Sequence, residues 1–105
     1  MTTREYLWMT YAQANKQRPE AERKKVSKVA RSKGGFMGQY RQAKTAKNMR
    51  QRPVRGYKNQ TWGDRRHNFI KRHMAQYTKH KTYRRWLALV MWAYRPPGPC
   101  PRDDA

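Results

Sequence analysis

Nine consecutive residues, Trp86 to Tyr94 in "RRWLALVMWAYRPPG", are apolar or aromatic in a chain whose formal net charge is +20. No other stretch restricts the possible folds as much. The run is too short to cross a bilayer as a helix, which takes about 20 apolar residues, so no membrane span is expected. Three roles remain: the centre of a small hydrophobic core, a contact surface for a protein partner, or an aromatic platform for bases. A helix that is apolar on all sides is usually buried, and each such side chain contributes about 1.5–3 kcal/mol on burial. The run is therefore read as core, in a helix of about residues 82–94 that Pro96 and Pro97 stop.

A chain of 105 residues has room for one small core, and the charge works against it. Lys and Arg total 26 against six acids, and from Arg23 to Arg102 there are 23 basic residues with Asp64 as the only acid. Self-repulsion on this scale opposes compaction, so a polyanion is the expected partner, nucleic acid being the commonest. An anionic membrane fits less well, because the cations run through nearly every segment instead of lining one helix face. Cys100 is the single cysteine, which excludes an internal disulfide and a four-cysteine zinc site. The beginning, "MTTREYLWMTYAQ", has neither a long apolar core nor a small-residue cleavage site. Secretion by a signal peptide is not expected, and the expected location is an intracellular nucleoprotein complex or a virion.

Local signals place the other elements. Thr2 and Glu5 have capping-box spacing and open a helix over about 3–17, with Leu7, Trp8, Tyr11 and Ala12 on one face. Pro19, Glu20 and Glu22 open a second, which Val26, Val29 and Ala30 continue as far as Gly34 and Gly35. Phe36, Met37, Tyr40 and Ala43 suggest a third, with Arg41, Lys44, Lys47 and Arg50 opposite and Pro53 as its limit. The stretch "QRPVRGYKNQ" has no period and reads as a basic loop or extended arm. Thr61 and Asp64 then cap a helix whose apolar face is Trp62, Phe69, Ile70, His73, Met74 and Tyr77.

These elements make a mainly α protein, a small helical domain with extended basic arms and no sheet. The expected divisions are a basic N-terminal helical region over 1–33, a helical core domain over 34–97 with a basic loop at 50–60, and a disordered tail over 98–105. The last helix is expected to lie between the 62–77 and 36–43 helices.

Lys/Arg density interleaved with aromatics is the functional signal, because cations neutralise phosphates and exposed rings stack on unpaired bases. The candidate nucleic-acid-binding residues are Arg23, Lys24, Lys25, Lys28 and Arg31, then Arg50, Arg52, Arg55 and Lys58, then Arg65, Arg66, Lys71, Arg72, Arg84 and Arg85. Catalytic chemistry has no constellation. His67 and His73 are six apart and off one helical face, with no thiolate or carboxylate cluster to complete a metal shell. Phosphodiester hydrolysis usually recruits a metal through carboxylates, and Asp64 is better used at its helix start. Ser27 and Ser32 have no neighbouring base. No enzyme activity, cofactor or metal is expected.

The order of "SKVARSKGGFMGQY", "NFIKRHMAQ" and "RRWLALVMWAYRP" resembles a family of short basic proteins without assigned activity, encoded by phages, larger viruses and some bacteria. The likeness covers about residues 25–97. It is densest at Phe69, Arg72 to Gln76, Arg84, Arg85 and Leu87 to Tyr94. Family members carry a longer glycine-containing segment where this chain has "YTKHKTY". The resemblance implies a viral origin and no catalytic residue. The expected function is non-enzymatic, weakly sequence-specific nucleic-acid binding, associated with a viral genome or particle. The alternatives are a minor capsid or cement protein held by acidic subunits of a viral coat protein, and a ribosomal or mitoribosomal RNA-binding protein.

Overall fold

Four helices among the described residues begin at a threonine whose hydroxyl accepts from an amide of the first turn: Thr10, Thr45, Thr61 and Thr82. The computed structural model describes residues 6–101. Seven helical segments follow in chain order: α1 (Tyr11–Asn15), α2 (Arg18–Arg23), α3 (Lys28–Arg31), α4 (Phe36–Ala43), α5 (Ala46–Gln51), α6 (Trp62–Lys79) and α7 (Tyr83–Val90). The described residues contain no strand, and Pro53 and Thr61 form one isolated bridge. The chain is mainly helical, as expected.

The box that opens α6 is complete. The Asp64 amide donates to Thr61 Oγ1 and the Thr61 amide to Asp64 Oδ2, both at 3.2 Å. Thr82 likewise caps α7 through the Arg85 amide. The expected helix over 3–17 is corrected where it is described: residues 6–10 are not helical, and α1 starts from a box made by Thr10 and Gln13. Tertiary partners take the backbone groups of this segment. The Met9 amide donates to the Ala93 carbonyl at 2.7 Å, and the Tyr6 and Leu7 carbonyls accept from Arg66. The proposed Thr2–Glu5 box lies outside the described residues.

Two further expected helices are each split. Lys25 and Ser27 stand in the left-handed region, at φ 57° and 54°, and break the second into α2 and α3. This turn buries Val26, and the carbonyls it releases find donors: Arg84 reaches Lys24 O, and Arg31 Nε donates to Val26 O at 2.7 Å. Lys44, at φ 71°, divides α4 from α5. The last helix ends at Val90 and not at residue 94. Ala93 turns left-handed at φ 59°, its amide bonds Val90 O and the Tyr94 amide bonds Leu89 O, a Schellman pattern built on alanine.

The tryptophan run is core. Trp86, Leu87, Leu89, Val90, Met91, Trp92 and Ala93 are all buried, in one cluster with Phe36, Met37, Tyr40, Met49, Trp62, Ile70 and Tyr77. That cluster crosses the boundary drawn at residue 34, since Ala14, Ala21, Val26 and Ala30 belong to it. α7 packs on α6 and α2, while α4 meets the run through Phe36, whose ring lies 4.8 Å from that of Trp92. Within the expected tail, Cys100 is partly buried against the core. No helix among the described residues is long and apolar enough to cross a membrane.

Candidate nucleic-acid interface

α6 is 18 residues long, about 27 Å at 1.5 Å per residue, and three surface hollows adjoin one another along it. The first, about 580 Å³, has Gln39, Arg52, Arg55, Trp62 and Arg65 on its wall. The second, about 390 Å³, shares Arg65 and adds Gln60, Asn68, Phe69, Arg72 and Trp92. The third, about 320 Å³, shares Phe69 and includes Lys25, Ser27, His73, Gln76, Arg84 and Arg85. Together they form a track whose charged lining is entirely cationic. From Trp62 to Gln76 it spans about 21 Å of helix, or about six phosphate steps of a duplex strand at 3.4 Å each.

The walls are held in place from behind. Arg52 donates through Nε to Gln39 Oε1 at 2.6 Å and through Nη2 to Gln42 Oε1 at 2.9 Å. Arg65 lies over the Tyr57 ring at 4.4 Å and that of Trp62 at 5.7 Å, and Tyr57 is 55% exposed. Arg85 Nη1 donates to the His80 carbonyl at 2.9 Å and the Gln76 carbonyl at 3.4 Å. Each guanidinium keeps further N–H donors for a ligand, since the group carries five.

The floor is aromatic. Phe69 stacks on Trp92 at 4.4 Å and 17°, and His73 on Phe69 at 3.9 Å and 20°. Burial and the charge of Arg72 hold the His73 pKa below its ordinary 6.5, so the imidazole is neutral near pH 7. The three acids among the described residues lie apart from the track's lining. Glu20 bonds Arg23 and accepts from the Tyr83 hydroxyl, Glu22 pairs with Arg18 at 3.0 Å, and Asp64 serves its cap.

Of the residues expected at phosphates, Lys25, Arg52, Arg55, Arg65, Arg72, Arg84 and Arg85 come together on this track. Lys28, Arg50, Lys58 and Lys71 are exposed elsewhere. Arg23 is paired with Glu20, Arg31 holds Val26 O, and Lys24 lies 5.4 Å from the Tyr83 ring.

Arg66 is a correction. It is 1% exposed, and its guanidinium donates to Trp92 O, Ala93 O, Tyr6 O and Leu7 O at 2.7–2.9 Å while lying 4.0 Å from the Trp8 ring. It is a structural cation inside the core and out of reach of phosphate. Its position on the stripe Trp62, Arg66, Ile70, Tyr77 was the available signal.

Sequence reasoning also missed Gln39, Gln60, Asn68 and Gln76, whose amides mark no pattern, and the half-exposed stack at Phe69 and His73. A separate hollow of about 480 Å³, lined by Lys16, Arg95, Trp86 and Cys100 among others, shares no residue with the track. Comparison with protein-family models, curated proteins and solved structures finds no match for the chain.

Proposed function

We propose that this chain is a non-enzymatic, weakly sequence-specific nucleic-acid-binding protein whose phosphate contacts run along α6. One observation carries the reading: three adjoining hollows share a lining in which every charged group is a cation. A phosphate backbone is the repeating polyanion that matches such a track, and cations that meet phosphate set position without reading sequence. Residence in a nucleoprotein complex or a virion follows from this reading. The resemblance to short basic proteins of phages, larger viruses and some bacteria would make a packaged genome one such ligand.

The test is affinity for duplex and single-stranded nucleic acid across a salt series, with an acidic polypeptide of matched charge as control. Log affinity falls against log salt by about 0.9 per duplex phosphate neutralised, or about 0.7 per single-strand phosphate. Arg55→Ala with Arg72→Ala lowers the number of phosphates neutralised by about two. Lys47→Ala, at an exposed position away from the track, leaves it unchanged. Equal binding to the polypeptide overturns the reading in favour of an acidic protein partner.

A further inference from the structure

We infer that the third hollow is a pocket for one unpaired nucleobase, which extends the Trp92–Phe69–His73 stack while Lys25, Arg84 and Arg85 hold the adjoining phosphates. The inference rests on the nucleic-acid reading above and specifies which form of the polymer the track takes.

The stack is the first ground. Three near-parallel rings run from the buried Trp92 through Phe69 to His73, and among the described residues no further ring covers His73. Both Phe69 and His73 border the hollow. A neutral imidazole at the open end of a stack presents a flat surface of the kind on which bases pile without regard to sequence.

The walls are the second ground. Arg84 is anchored on the Lys24 carbonyl, and Arg85 on the His80 and Gln76 carbonyls, so both guanidinium planes are fixed with donors to spare. Lys25 and Ser27 flank the buried Val26 and both hold a left-handed backbone that L side chains rarely adopt. That turn places Lys25 and Ser27 on the same wall. Ser27 and the Gln76 amide supply a donor and an acceptor for the edge of a base. At about 320 Å³ the space lies at the small end of ligand pockets.

The consequence is a preference for single strands. A base inside a duplex has both faces covered by its neighbours and its pairing edge occupied, whereas an unpaired base can swing out onto a ring. The ligand chemistry, an unpaired base with its flanking phosphates, occurs in both RNA and DNA.

The experiment uses the full chain and oligonucleotides of equal phosphate number. The probes are a single strand carrying 2-aminopurine, a duplex shortened to the same number of phosphates, and a strand of the same length that is abasic at every position, each as DNA and as RNA. The single strand is expected to bind about 5- to 150-fold more tightly than the abasic strand, the range for one stacked base, with quenched probe fluorescence. His73→Ala abolishes that preference and leaves the salt slope intact, whereas His73→Phe keeps the stack and restores it. The tighter of the DNA and RNA arms identifies the source. Equal affinity for intact and abasic strands, with an unquenched probe and an unchanged slope, overturns the pocket and leaves the phosphate track standing. Absence of binding to every oligonucleotide overturns both.

Discussion

Arg66 carries a full charge in the core of a chain already overloaded with positive charge, and its tolerance there is electrostatic. The Schellman turn after α7 points the Trp92 and Ala93 carbonyls at it, and the C-terminal end of a helix is its negative pole. The Tyr6 and Leu7 carbonyls complete the set, so one planar fork binds the beginning of the described chain to the end of the tryptophan run. Arg66→Ala is expected to cost about 3–5 kcal/mol, because orphaned buried carbonyls each cost about 1–3 kcal/mol. Arg66→Lys should recover only part of it, since an ammonium lacks the planar fork. Urea melts check both, and a fully stable Arg66→Ala that binds nucleic acid poorly would return Arg66 to the phosphate set. The spacing of Trp62, Arg66 and Ile70 was legible. The residue type argued the other way, because arginine is almost never fully buried unless paired, and here the partners are carbonyls that no sequence pattern marks.

Among the elements, α6 was the most legible because both of its signals are local: a capping box at Thr61 and Asp64, and an apolar stripe. The split helices were less so. Lys25, Ser27 and Lys44 are ordinary helix residues, and only the gain from burying Val26 and turning α4 into α5 selects their left-handed backbone. The close approach of α3 to α4 depends on Gly35. A Cβ there would stand 1.8 Å from the Val29 carbonyl oxygen, a backbone atom that cannot move alone. Gly35→Ala is expected to destabilise the protein by about 1–3 kcal/mol through forced separation of the two segments. A thermal melt indistinguishable from that of the unaltered chain would refute this packing.

For the whole molecule the governing quantity is charge against size. Residues 6–101 hold 24 of the 26 basic residues and three of the six acids, within a body 21 Å across its shortest axis. The Debye length is about 30 Å at 0.01 M salt and about 10 Å at 0.1 M, so at the lower salt the cations repel one another over most of a body 44 Å in its longest extent, and at the higher only locally. The melting temperature without ligand is expected to rise by at least about 4 °C between those conditions, the shift produced by about 1 kcal/mol in a domain of this size. A flat or falling trend in a calorimetric series would contradict this account of its stability. By itself the sequence determined the helical class, the core role of the tryptophan run and the excess of cations, because composition, caps and hydrophobic period act over a few residues. Only the tertiary structure decided that Arg66 lies inside, that two helices break, and that Lys25, Arg65, Arg72 and Arg84 meet along α6, because each depends on burial and carbonyl geometry contributed by segments distant in the chain.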